Sequence, residues 1–378
     1  MPLSRRRLIQ LLGASAAASH APAVFARGVE DRAFIFLILR GGLDGLGTLI
    51  PDDRETEGLR GAILPPPGDR LDLGNGFRLH PALSTLHALY RSGEAAFVHA
   101  AATAYRDRSH FDGQDFLETL GRSAARDGWL NRTVAALGGE GLAVGYALPL
   151  ALKGAAPATN WSPPVFPAAS EDLLDRLADL YADDAVFAEP LAASRANAET
   201  DLDMGTGRGN IAAQYTGALS VLGKLMAAPG GPGIGMASLD GWDTHANQAG
   251  ALSNRLGALD AAIAALKTAL GPRWKKSCIL VASEFGRTAA ANGTRGTDHG
   301  TGGLAMLLGG AVQGGQVAGD WPGLAPRALH EGRDLAPAND LEGLLKSVLG
   351  EHLGIDRAVL DQDVLPVTGP AMPGLIRS

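Results

Sequence analysis

Residues 33–45 read AFIFLILRGGLDG. Apolar residues run unbroken from Ala33 to Leu39, then give way to Arg40, two glycines and a carboxylate, Asp44. A run this short and continuous fits a strand buried on both faces, since a half-exposed strand or a surface helix would interleave polar residues. Glycine directly after it lets the chain turn through backbone angles that other residues avoid. Four more runs of the same kind follow at Ala95–Ala102, Gly233–Leu239, Ser277–Ala282 and Leu304–Leu308. Between them, apolar residues recur at helical spacing over 81–91, 111–120, 129–137, 171–187, 211–226, 249–270 and 341–353. Alternating strands and helices predict an α/β fold whose mostly parallel sheet is covered on both faces. No linker divides residues 27–378, which read as one domain; residues 147–210 break the alternation and read as an insertion or cap.

The 378 residues suffice for a large core, and 46% hydrophobic against 19% charged residues excludes a disordered chain. Forty acidic against 33 basic side chains argue against nucleic-acid binding through phosphate contacts. The single cysteine, Cys278, excludes an internal disulfide framework, a cysteine-based zinc knuckle and an iron–sulfur site. It lies within an apolar run and reads as a core residue.

Residues 1–26 read as an export signal. Arg5, Arg6 and Arg7 precede Leu8-Ile9, an apolar stretch over 11–18 follows, and Val24-Phe25-Ala26 offers a cleavage site. Consecutive arginines before the apolar stretch resemble a twin-arginine signal, which implies the twin-arginine export machinery as a partner and a periplasmic or secreted protein. The stretch is too short and alanine-rich for a stable membrane span. Removing it takes the net charge from −7 to about −10.

In open α/β sheets ligands bind where loops leave the carboxyl ends of strands. There the sequence places Asp44; the stretch Thr103 to Asp115 with Ser109 and His110; Asp243 and His245; Glu284 and Arg287; and, a loop later, Asp298 and His299. Each has a plain reading: Asp44 as a turn residue, Ser109 as a helix cap, the others as solvated loop residues. Taken together, carboxylates converging on one sheet edge would repel each other unless a cation neutralised them. Carboxylate and imidazole are ordinary ligands of zinc, manganese or iron. His80, His87, His330 and His352 lack an Asp/His pairing and read as structural or solvated.

Six stretches, LRGGLDGL (39–46), RSHFDGQDF (108–116), GWDTH (241–245), ASEFGRT (282–288), GTDHGTGG (296–303) and LLGGAVQGG (307–315), resemble a bacterial family of exported proteins, the DUF1501 family. The resemblance implies membership of the alkaline phosphatase/sulfatase superfamily: a three-layer α/β/α sandwich with, typically, two metal ions at the strand ends. Members of that superfamily cleave or transfer phosphate and sulfate esters through a Ser, Thr or modified Cys. Carried over residue by residue, Asp44 resembles the first metal Asp, Ser109 the nucleophile with Thr103 as fallback, Asp243 and His245 a ligand pair, and Asp298-His299 the Asp-His-Gly signature. The pattern departs at Glu284-Phe285-Gly286, which holds the strand end where that signature belongs, fourteen residues before Asp298.

The expected function is therefore hydrolysis of a small-molecule or glycan phosphate or sulfate ester, assisted by one or two divalent ions. Zinc comes first, with manganese, calcium or magnesium as alternatives. Asp243, His245 and His299 would hold one ion; Asp44, Glu284 and Asp298 a second; Arg287 or Arg106 would stabilise developing negative charge. The alternative is a non-catalytic exported binding or assembly protein that keeps the fold, suggested by Phe285 where a histidine is expected. A metal-dependent isomerase or mutase is selected by no residue here.

Overall fold

The computed structural model describes residues 32–120, 127–162, 171–182, 184, 187–188, 191–192, 210–367 and 369–377. The export-signal reading at 1–26 lies outside them. In chain order the strands are β1 (Ala33–Arg40), β2 (Leu49–Pro51), β3 (Leu71–Asp72), β4 (Phe77–Leu79), β5 (Ala95–Ala102), β6 (Gly141–Val144), β7 (Ala158–Trp161), β8 (Ile234–Asp240), β9 (Ser277–Ala282), β10 (Gly303–Leu308), β11 (Gln316–Ala318) and β12 (Asn339–Asp340). The main sheet runs β11-β5-β10-β9-β1-β8-β6-β7, with β12 also on β5; β2, β4 and β3 form a small separate sheet. Within the main sheet only β10 runs against its neighbours, β5 and β9, so the sheet is mostly parallel as the sequence predicts.

Strand β1 sits near the centre, between β9 and β8, and its apolar run is explained by what lies on either side. Ala33, Ile35, Leu37 and Leu39 enter one core, with the helices Ser84–Arg91, Ile211–Ala227 and Gln248–Leu270. Phe34, Phe36 and Ile38 enter the other, with His110–Thr119, Trp129–Leu137 and Leu341–Leu353. Trp129 meets Phe34 and Phe36 edge-on, at ring separations of 6.2 and 5.0 Å. Two cores on opposite faces of one sheet make the three layers of an α/β/α sandwich. Cys278 is buried in the second core, as its place in an apolar run suggested.

Part of the segment 147–210 joins the main sheet. Its residues Ala158–Trp161 form the edge strand β7, parallel to β6. Glu171–Tyr181 is a helix, and much of the rest lies outside the described residues.

The parallel directions of β1, β5, β8 and β9 bring their carboxyl ends to one edge. The loops leaving that edge start at Gly41, Thr103, Gly241 and Ser283.

Candidate metal centre

Three imidazoles and one carboxylate meet at this edge. His110 opens the helix that follows β5; Asp243 and His245 lie in the loop after β8; His299 returns from the long loop after β9. His299 Nε2 is 3.0 Å from His110 Nε2 and 2.9 Å from His245 Nε2. Asp243 Oδ1 lies 3.0 Å from His245 Nε2 and 3.3 Å from His299 Nε2, and Asp243 Oδ2 lies 3.4 Å from His110 Nε2. His110, Asp243 and His299 each offer one atom within 4.8 Å of the others, and among the described residues they form the one such group of three or more. His245 touches two of the three.

The Nδ1 side of every ring is already engaged. His110 Nδ1 donates to Glu284 Oε1 at 2.7 Å, His245 Nδ1 to Asp298 Oδ1 at 3.1 Å, and His299 Nδ1 to the Arg108 carbonyl at 3.0 Å. An ionised carboxylate or a carbonyl can only accept, so each Nδ1 carries a proton and a ring in its neutral form turns its Nε2 lone pair inward. Lone pairs 2.9–3.0 Å apart repel unless a positive charge lies between them. Ligand atoms around a tetrahedral zinc are about 3.3 Å apart, so a few tenths of an ångström of opening among His110, Asp243 and His299 would seat an ion. The donor set, neutral imidazoles plus a carboxylate with the outer nitrogens fixed by acceptors, therefore fits a divalent cation.

The charges agree. Burial works to raise the Glu284 carboxyl, but hydrogen bonds from His110, Gln114 and the Gly41 N–H outweigh it and hold it below its ordinary range. Burial likewise works to raise the Asp243 carboxyl, but the Arg287 guanidinium and the neighbouring imidazoles outweigh it and hold it below its ordinary range. Asp298 is lowered by the Asn292 hydrogen bond first. His299 is lowered, by burial first and then by His110 beside it, which favours the neutral ligand form. His110 runs the other way: its bond to Glu284 first raises it and favours the protonated ring, so a cation binding there must displace that proton.

Local sequence explains the loop geometry. Gly41 has φ +120°, and a Cβ there would stand 2.5 Å from the Asp243 backbone nitrogen, so only glycine lets the turn after β1 pass under the loop after β8. The fourteen-residue delay before Asp298 is an excursion that folds back. Arg287 and His299 bridge antiparallel, Gly300 N–H donates to the Gly286 carbonyl, and Thr288 N–H to the Asp298 carbonyl. The tip of the excursion clamps the other loop: Asn292 Nδ2 donates to the His245 carbonyl at 2.9 Å and to Asp298 Oδ1 at 3.0 Å.

Of the residues singled out from sequence, Asp243, His245 and His299 meet in the cluster. Glu284 and Asp298 stand one step behind it, as acceptors for His110 and His245. Arg287, buried, donates through Nη1 to Asp243 Oδ1 at 2.7 Å, and its Nη2 has no partner. Ser109 is the N-cap residue before His110, and its side chain makes no capping bond. Two of the residues singled out stand elsewhere. Asp44 is not in the cluster: it is buried against Arg60 at 2.6 Å and also accepts from Gln248. Arg106 is not there either, since its guanidinium is held by the carbonyls of Thr103 and Tyr105, and buried Thr103 accepts from the Tyr105 N–H.

His110 was missed. It stands in RSHFDGQDF with Asp112 two positions on, the spacing that singled out Asp243 and His245, although Asp112 itself is not in the cluster. Phe285 takes a different place: its ring packs on His110 and His299 at 4.8 and 5.1 Å, walling the two imidazoles in. His80 and His352 are buried and structural as read, with Ala82 N–H bonded to His80 Nδ1 and His352 Nε2 bonded to the Ala33 carbonyl.

An α/β/α sandwich with a candidate cation centre at the carboxyl edge of its sheet is the class this geometry defines. The chain belongs to the DUF1501 family, described as "Protein of unknown function (DUF1501)", whose model matches residues 168–364. The matched region carries Asp243, His245, Glu284, Asp298 and His299; Asp44 and His110 precede it. Among solved structures, the C-terminal periplasmic domain of EcEptC from Escherichia coli, in complex with Zn, is similar over 74% of this chain and 73% of that one, at 9% identity and a TM-score of 0.41. A comparison with curated proteins finds no match.

Proposed function

We propose that this chain is an exported, metal-dependent hydrolase of phosphate or sulfate esters, of small molecules or glycans. The convergence of His110, His245, His299 and Asp243, with every Nδ1 already hydrogen-bonded, carries the metal half of this reading. The ester half is supported by the motif resemblance at 39–46, 108–116 and 296–303. When bound, a divalent cation supplies Lewis-acid polarisation of an ester oxygen and acidifies a neighbouring hydroxyl or water. The chain's own residues do the rest. The side chains of Asp243 and His245 are 40% and 44% exposed, which leaves a face of the centre open to substrate. Ser109, uncapped at the positive end of a helix and adjacent to His110, is the candidate nucleophile. Arg287, buried behind the centre, holds Asp243 ionised.

The non-catalytic alternative arose from the missing imidazole at Phe285, and His110 supplies a third imidazole from another element. Metal content and hydrolysis of aryl phosphate and aryl sulfate, measured on wild type, His245→Ala and Ser109→Ala, test the proposal. Wild type should carry metal and hydrolyse one ester class; His245→Ala should lose at least ~100-fold of that activity. Wild-type protein without metal or metal-dependent hydrolysis overturns it. For export, lysines in place of Arg6 and Arg7 should leave the precursor inside the cell.

A further inference from the structure

We infer that the centre takes a single divalent ion, ligated by His110, Asp243 and His299 with His245 beside them, and that the Arg60 guanidinium fills the role of a second cation at Asp44. This rests on the metal reading above and narrows it. Three carboxylates outside the cluster were candidates for a second ion, and each is already committed. Glu284, with its side chain sealed from solvent, accepts from His110 Nδ1, Gln114 Nε2 and the Gly41 N–H. Gln114 is in turn held by Arg40, which also pairs with buried Glu118 at 2.6 Å, so a line of side chains runs from the sheet edge to His110 and fixes its ring. Asp298 accepts from His245 and Asn292.

Asp44 is the decisive case. Its Oδ2 takes Arg60 Nη1 at 2.6 Å, with side chains 0% and 1% exposed. Arg60 cannot swing away freely, because its Nε donates to the Ala289 carbonyl at 2.8 Å and its Nη2 to the Thr288 carbonyl. A second ion would have to bind Asp44 Oδ1, which is buried without a partner. There it would share one carboxylate with an immobilised guanidinium, two cations against one anion out of water. Asp44 also belongs to no ligand group among the described residues. Between it and Asp243 runs a buried polar relay: Arg287 bonds Thr297, Thr297 and Thr244 both bond Gln248 Oε1, and Gln248 bonds Asp44. Asp44 and Arg60 thus brace the floor of the centre through Gln248 and Arg287, as positioning residues.

The test is a metal count on full-length exported protein, stripped with chelator and titrated with Co(II) and then Zn(II). Calorimetry and the visible Co(II) spectrum give stoichiometry and affinity independently of any activity. One equivalent per chain is expected, with His110→Ala weakening it by at least ~100-fold, Glu284→Gln by about 10–100-fold, and Asp44→Asn leaving the count at one. Should Asp44→Asn fail to fold, the wild-type count decides alone. Two equivalents in wild type overturn the single-ion inference while leaving the hydrolase proposal standing. No binding at all overturns both, and wild-type affinity in His110→Ala removes His110 from the ligand set.

Discussion

Single atoms decide the centre. A methyl group at residue 41 would collide with the backbone of Asp243 in a turn that already needs φ +120°. Gly41→Ala should therefore lower the melting temperature and weaken cation affinity together, because the displaced loop carries both Asp243 and His245. Gly250 is the control: it lies in the helix Gln248–Leu270, and a Cβ there meets nothing within 4 Å. Gly250→Ala should leave affinity unchanged and raise stability by up to about 1 kcal/mol, read by thermal unfolding with and without added Zn(II). At this scale the sequence showed most of the residue types. It did not show their roles, because whether a carboxylate touches a metal or a histidine's outer nitrogen depends on about 3 Å of three-dimensional placement.

Elements were more legible, and their misses have causes. The strands with long apolar runs, β1, β5, β8, β9 and β10, stand where hydrophobicity places them, within a residue at each end. Strands β6 (GLAV) and β7 (ATNW) carry too few apolar residues to stand out; pairing with β8 and with each other makes them strands. The helix Ile211–Ala227 begins where Asn210 can cap it, its side chain accepting from the N–H groups of Ala212 and Ala213 at 3.0 and 3.3 Å. By contrast Ser84–Arg91 starts after Leu83, which offers no cap. Its first-turn donors are met from another helix: Asp260 accepts from the N–H groups of Thr85 and Leu86, both at 2.9 Å. Asp260→Ala would orphan one buried and one half-buried donor and should cost about 1–3 kcal/mol in a urea titration. Asn210→Ala should cost about 1 kcal/mol. Neither substitution should change the metal count.

For the molecule as a whole, stability should depend on pH and on metal. Burial lowers His80, His99 and His352, each to about 4, with weaker opposing contributions from Asp44 on His80 and from backbone carbonyls on the other two. An unfolded histidine titrates near 6.5, so between about pH 6.5 and 4 the unfolded chain binds more protons than the folded one. The stability these neutral rings permit is complete above about pH 6.5 and falls as pH drops toward 4, each adding about 1.4 kcal/mol per pH unit to the slope. Urea midpoints from pH 7 to 4.5 should show it, and His352→Gln should flatten the slope by about a third. Chelator should lower the melting temperature of wild type and leave His299→Ala unmoved, since a ligand that binds only the folded state stabilises it by mass action.

Among the described residues no helix is long and apolar enough to cross a membrane. Local order in the sequence determined the layered α/β architecture and the edge where chemistry gathers, because burial on two faces leaves a continuous apolar run and turns leave glycine and polar residues after it. Only the tertiary structure decided which of those residues meet. His110 and His299 are 189 positions apart in the chain and 3.0 Å apart in space, and no periodicity records such a contact. Asp44 looked like a ligand until folding set Arg60 against it, since the charge balance of a buried group is fixed by its neighbours in space.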